Sequence, residues 1–327
     1  MQNRRRVVSL AAAVAALSVF RPAAANEARA WPTRPLRWVV PVAPGGALDL
    51  LARTLARELA PRLGQPVVVE NVPGAGGNLA FGQVASAPAD GHTVLHGWDS
   101  LSINPSLYPS VSFRLEQFAP VTLAVTSPQV LVVNPGRVPA RSLDAFIALA
   151  RDRAGALSVA SPGSGSPGHL AATLLQTQAG ITLTHVPYKG GGPALADLVA
   201  GHVDSAVVSL PAAVPHLDAG RLAAIGLSSA RRSTGRPDLR TFRESGLPGY
   251  ELDSWQGMLV PSGTPASAIA RLHEEIATVL RDERVRAQLV AQGFEVVAGP
   301  PSELAALLER STPQWTRLVR VSGAKVD

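Results

Sequence analysis

LRWVVPVAPGGALDLLARTLARELAPRLGQPVVVE, residues 36–70, decides the fold. Leu36–Val42 is a valine-rich apolar run of the length of one buried strand. The period then changes. From Leu48 to Leu63 the residues Leu51, Leu55 and Leu59 recur four apart and line one face of a helix. Gly64-Gln65-Pro66 stops that helix, since glycine suits the left-handed cap and proline cannot continue the ladder. Val67–Glu70 begins the next strand. Strand, helix, strand in this order predicts a βαβ unit and parallel strands.

The same grammar extends in both directions from this unit. A short helix is expected at Leu79–Ala87 and a strand at Thr93–His96. Further strands are expected at Val130–Val133, Leu157–Ala160, Val186–Tyr188, Ala206–Ser209 and Leu222–Leu227. Helices are expected between them at Leu143–Arg151, His169–Ala179 and Ala194–Ala200. Arg231–Leu252, rich in Gly, Pro and charge, reads as loop, and Ala266–Leu280, Arg284–Gln292 and Pro301–Val319 read as closing amphipathic helices. The fold class is therefore α/β with largely parallel sheets. A length of 327 residues suggests two domains.

Composition narrows the function classes. With 46% hydrophobic and 17% charged residues the chain has a core to bury and is not disordered. It has no cysteine, so no disulfide, thiolate nucleophile or cysteine metal site is available. Arg4, Arg5 and Arg6 precede the apolar run Val7–Phe20, and Ala23-Ala24-Ala25 follow, which is the layout of a cleavable signal peptide over residues 1–25. The apolar run is 14 residues, whereas a membrane-spanning helix needs about 20. Residues 1–25 hold four arginines and no acid, so without them the formal charge falls from +6 to +2. Nucleic-acid binding is not expected at that charge.

Glycine-rich turns fall where strands end and helices begin. The first is Ala43-Pro44-Gly45-Gly46; the second is Gly74-Ala75-Gly76-Gly77-Asn78. The third runs through Gly163, Ser164, Gly165 and Ser166 to His169, and the fourth is Tyr188-Lys189-Gly190 with the glycines after it. Each would present backbone N–H groups that lack an intrahelical partner, at the positive end of a helix dipole. Together they form an anion cradle; singly, each is also an ordinary turn. In open α/β sheets ligands bind at these strand ends. A dinucleotide loop at Gly74-Ala75-Gly76-Gly77 is not indicated, because that stretch does not complete a GxGxxG and is not the first βα turn of the chain. Nor does Ser164-Gly165-Ser166-Pro167-Gly168 make a GxSxG nucleophile elbow, so Ser164 and Ser166 read as helix caps or ligand contacts rather than hydrolase nucleophiles. No three of the seven histidines fall at metal-ligand spacing, and no cofactor is expected.

These turns belong to a recognisable pattern. The string WPTRPLRWVVPVAPGGALDLLARTLARELAPRLGQPVVVENVPGAGGNLA from Trp31 resembles the opening of the Bug family, the periplasmic receptors of tripartite tricarboxylate transporters. The likeness continues through INPSLY (Ile103–Tyr108), FAPVTL (Phe118–Leu123), HVPYKGGGPALADLVAGHVD (His185–Asp204) and SWQGMLVPSGTP (Ser254–Pro265). The resemblance implies a type II-like periplasmic-binding-protein fold. One lobe would comprise residues 26–125 and 250–327 and the other 126–249, each a mostly parallel sheet flanked by helices and joined to its neighbour by crossover strands. It implies a monomeric, non-enzymatic receptor in the periplasm that closes on a small carboxylate. The closed form would be read by integral-membrane permease subunits or by a sensor kinase. The four turns, with Trp98, Asp99 and Leu101 in one lobe and Val208 and Ser209 in the other, would line the cleft. This sequence departs from the family pattern at Leu48, Trp98, Asp99, Leu101 and Val208. Trp98 would stack on a planar ligand or pack into its lobe; Asp99 would meet an amine or hydroxyl, or cap the next helix. Lys189 would attract an anion or sit at the rim.

Overall fold

The computed structural model describes residues 31–326, and the expected export signal lies outside the described residues. In chain order the first elements are β1 (Leu36–Val40), α1 (Ala47–Leu63), β2 (Val67–Asn71), α2 (Asn78–Ala85), β3 (Thr93–Trp98), α3 (Ser100–Leu107) and β4 (Phe118–Val133). Then come α4 (Leu143–Asp152), β5 (Ser158–Ser161), α5 (Pro167–Ala179), β6 (Thr184–Pro187), α6 (Gly191–Ala200), β7 (Ser205–Ser209), α7 (Leu210–Asp218) and β8 (Ala223–Leu227). The chain closes with β9 (Asp253–Pro261), α8 (Ala266–Arg281), α9 (Glu283–Ala291), β10 (Glu295–Gly299) and α10 (Pro301–Ser322).

The strands follow the order β2-β1-β3-β9-β4-β7-β5-β6, with β8 and β10 also paired to β4. At each outer end the strands are parallel: β2, β1 and β3 on one side, β7, β5 and β6 on the other. In the middle the pairing is antiparallel, because β9 returns beside β3 and β4. The expectation of mostly parallel lobes holds at the outer ends, and the crossover strands add the antiparallel middle.

β4 is the spine. Its 16 residues extend about 50 Å at ~3.3 Å per residue. Its first part pairs with β9 as far as Pro128↔Asp253. From Gln129↔Ser209 onward it pairs with β7. Pro128 has no N–H to offer a ladder, so the change of partner falls where one hydrogen bond is already missing.

Each lobe buries both faces of its sheet. Leu51, Leu55 and Leu59 of α1 meet Leu272, Ile276 and Leu280 of α8 over β1 and β3. The opposite face is covered by Phe81 and Val84 of α2, Leu101 of α3 and Leu304 of α10. In the second lobe Leu170 and Leu175 of α5 pack with Phe146 of α4, while Leu195 and Leu198 of α6 and Leu210 of α7 cover the other side. Each fully buried leucine contributes about 1.5–3 kcal/mol of transfer free energy. α10 belongs to both lobes: Leu304 lies in the first core, whereas Trp315, Leu318 and Val319 lie in the second.

Candidate ligand-binding cleft

The first turn, Ala43–Gly46, leaves β1 exposed and enters α1. Gly45 adopts φ +91°, which a side chain rarely tolerates. Its N–H donates to Asp49 Oδ2 at 3.0 Å. Asp49 also accepts from Arg53 Nε at 2.9 Å and from Asn71 Nδ2 at 2.9 Å. Burial pushes the Asp49 carboxyl up, but these hydrogen bonds outweigh it and hold the group below its usual range. The turn is thus locked from beneath. Space opens above Gly45 and Gly46, with no atom within 4 Å of a Cβ placed on either.

The second turn carries positive φ at Gly74, Ala75, Gly76 and Gly77 in succession. For Ala75 that conformation costs about 1–2 kcal/mol. Gly77 N–H closes on Gly74 O at 2.9 Å, and Asn104 Nδ2 of α3 donates to Gly76 O at 3.0 Å and to Asn78 Oδ1 at 2.8 Å. Tyr108 closes on Gly76, where a Cβ would lie 2.8 Å from the phenol oxygen. Pro41, beside the first turn, touches the position a Gly77 Cβ would take, which brings the first two turns together.

In the second lobe, Ser166 caps α5 by accepting the His169 N–H at 3.3 Å. His169 Nδ1 accepts the Gly165 N–H at 3.0 Å, so the ring proton of the neutral imidazole sits on Nε2. The ring stacks on His185 at 3.8 Å and 3°. Burial, then the neighbouring imidazole, pushes His169 down to about 4. His185 Nε2 pairs with Ser161 Oγ at 2.7 Å. No hydroxyl–imidazole bond joins Ser164 or Ser166 to His169 among the described residues, and no group of three metal-binding side chains occurs there. The fourth turn is tied to the third: Tyr188 N–H donates to Ser161 O and Gly190 N–H to Pro162 O, each at 3.0 Å.

Helix α3 stands between the two pairs of turns. Asn104 and Tyr108 hold the second turn, while Leu107 fills the space where Gly165 lacks a Cβ. All four turns therefore connect through one helix.

The main-chain donors are fewer than the turn pattern suggests. Gly45, Gly77, Gly163, Gly165, Ser166, Tyr188 and Gly190 spend their N–H groups inside the chain. Among the described residues the amides of Gly46, Ala75, Gly76 and Ser164 have no acceptor. Several side chains also differ from expectation. Leu101 and Val208 are fully buried in apolar cores and present no side chain to a cleft. The Tyr188 hydroxyl donates to Asp197 at 2.7 Å, which with burial pushes the phenol up to about 12. Lys189 is exposed and Ser209 half-buried. Trp98 is half-buried against both first-lobe cores, and Asp99 is fully buried without capping α3 through its carboxylate. Asp49, Asn71, Asn104, Leu107, Tyr108 and His185 shape the site without having been marked as site residues. Three of them sit in INPSLY, and a polar residue between apolar helix positions was the signal available at Asn104.

Comparison with known proteins places this arrangement. The model of the tripartite tricarboxylate transporter family receptor matches residues 51–323. A UPF0065 protein from the tcbD-tcbE intergenic region of Pseudomonas sp. (strain P51) is 40% identical over 319 residues, 97% of this chain and 94% of that protein. An R. palustris protein solved with adipate superposes with TM-score 0.85 at 34% identity, over 90% of this chain and 100% of that one. The periplasmic binding protein BugD gives TM-score 0.81 at 34% identity, over 90% and 99%. The expected two-lobed periplasmic-binding-protein fold is thereby established, and with it a binding rather than catalytic role. The chain belongs to the tripartite tricarboxylate transporter receptor family, the family of the Bug proteins.

Proposed function

We propose that this receptor traps a small organic carboxylate between its lobes and delivers it to integral-membrane permease subunits. One observation carries the reading: α3 joins two turns of the first lobe to two of the second, and free amides remain on both sides, at Gly46, Ala75 and Gly76 against Ser164. Such donors in a site shut off from water stabilise a carboxylate without a competing counter-ion. Adipate, present in one related structure, carries a carboxylate at each end, which suits donors on two opposed lobes. The lobes divide near the change of partner at Pro128 and Gln129, in keeping with boundaries at about 125 and 250.

The test is a calorimetric and thermal-shift panel of adipate, malate, citrate, benzoate and neutral sugars. A true ligand at 100 times its dissociation constant adds about 2.7 kcal/mol of stability. The expected result is that response from one or more carboxylates and none from sugars. Silence from every carboxylate, or a response to sugars alone, rejects the proposal. Benzoate preference that vanishes in Trp98→Ala would assign Trp98 to the ligand; an equal loss for all acids would assign it to packing.

A further inference from the structure

Asp99 is fully buried, and neither of its carboxylate oxygens has a hydrogen-bond partner. It stands at the end of β3, beside the point where the crossover strands change partners. Ser254 and the Trp255 amide of β9 are its polar neighbours; they pull the carboxyl down by less than burial pushes it up. Ser254 Oγ accepts from Gln129 Nε2 of β4 at 2.7 Å, and Ser228 Oγ accepts the Gln129 N–H at 2.8 Å. A polar chain thus runs through the crossover from Ser254 to the second lobe, and Asp99 abuts its first-lobe end.

Among the described residues no cation acts on this acid. The charge acting on it is Asp253, which is of like sign. Ser102 of α3, Ser254 and Trp255 of β9, Gln129 of β4 and the buried Trp315 of α10, which packs along α3, are all uncharged. Ser102 Oγ and the Trp98 and Trp255 indole N–H groups are also buried without partners. An ionised carboxylate in such surroundings is costly enough to weigh against the small free-energy difference between open and closed forms of a two-lobed protein.

We propose that Asp99 enters the closed molecule as the neutral acid, that its ionisation drives the lobes apart, and that anion capture therefore takes up a proton. The last step rests on the carboxylate reading above; the first two do not. Burial pushes the Asp99 carboxyl up to about 7. Once the crossover opens and water reaches it, the group returns to its ordinary value near 4. Between these two values the closing equilibrium falls by up to about tenfold per pH unit as pH rises.

The test uses the full chain without ligand, in small-angle scattering and infrared spectroscopy from about pH 5 to about pH 9. The expected result is a radius of gyration that grows through neutral pH as the protonated-carboxyl band disappears. Asp99→Asn, neutral at every pH, should stay compact throughout. A flat radius in the parent protein overturns the proposal, and so does an Asp99→Asn variant that expands as the parent does. If the variant fails to fold, the parent's two curves decide alone. Adipate calorimetry at about pH 6, in buffers of different protonation enthalpy, should then show uptake of nearly one proton. Binding without proton uptake overturns the coupling. Absence of adipate binding counts against adipate as the ligand and leaves the scattering result standing.

Discussion

Gly165→Ala should weaken ligand capture while leaving the fold intact. Gly165 has φ +73°, and a Cβ there would overlap the Leu107 methyls of α3. Two costs follow. Left-handed backbone strain of about 1–2 kcal/mol is present whether the lobes are open or closed, so it lowers stability but cancels from binding. The overlap exists only when α3 and the third turn meet, and overpacking of this kind costs about 1–3 kcal/mol. Affinity should therefore fall by about 5- to 150-fold. The assay is titration calorimetry with the best carboxylate from the panel, on the parent, Gly165→Ala, Leu107→Ala and the double variant. In the double variant the overlap is gone, so the cycle should show a coupling of at least about 1 kcal/mol. Unchanged affinity in Gly165→Ala, or the same loss in the Leu107→Ala background, would refute the claim that this contact belongs to the closed, ligand-holding form.

Asp49→Asn should cost about 1–3 kcal/mol in denaturant unfolding, because the Arg53 and Gly45 donors lose a charged acceptor. Since the folded Asp49 carboxyl lies below its unfolded value, its contribution is present at neutral pH and lost as pH falls through the folded value; the variant should not show that loss. His169 acts in the same direction, in a higher pH window. Its imidazole titrates at about 4 when folded against 6.5 when unfolded, so the unfolded chain binds the proton first and stability falls as pH drops through that window. About 3 kcal/mol is at stake, with buried His96 contributing over the same range. His169→Asn should reduce the slope in a pH series of urea melts, to which His185, His216 and His273, also held below their usual range by burial, contribute as well; an unchanged slope would exclude His169 as a source. Tyr188→Phe should lower stability by about 1 kcal/mol through the lost bond to Asp197 yet bind ligand as the parent does; a tenfold affinity loss would place the hydroxyl in the site.

The outer βαβ units were legible because their signals are local. Leucines four apart and Gly64-Gln65-Pro66 fix α1 to within one residue of its observed span. The crossover was harder to read. β4 is interrupted by Pro120 and Pro128, which resemble loop punctuation until a partner strand shows where their missing N–H groups fall. β9 and β10 pair antiparallel with β4, outside the strand-helix-strand pattern that announces a parallel unit. α3 and α7 contain Pro105, Pro211 and Pro215, and tertiary packing overrides that weak propensity. In the candidate site, glycine marks where the turns fall. It did not mark which amides stay free, because that depends on how nearby acceptors turn: Asp49 for Gly45 and His169 for Gly165, each four residues on, and Ser161 of the adjacent strand for Tyr188.

The position of α10 bears on how the molecule is made. Trp315, Leu318 and Val319 complete the interior around Phe146, Leu170 and Tyr250, although more than sixty residues separate them from Tyr250 in sequence. During vectorial synthesis the middle segment emerges well before those three side chains. Its interior stays wet on one side until the last turns of the chain arrive. Truncation ahead of Trp315 should leave a collapsed but uncooperative second lobe, with the tail acting as a stopper whose arrival ends folding.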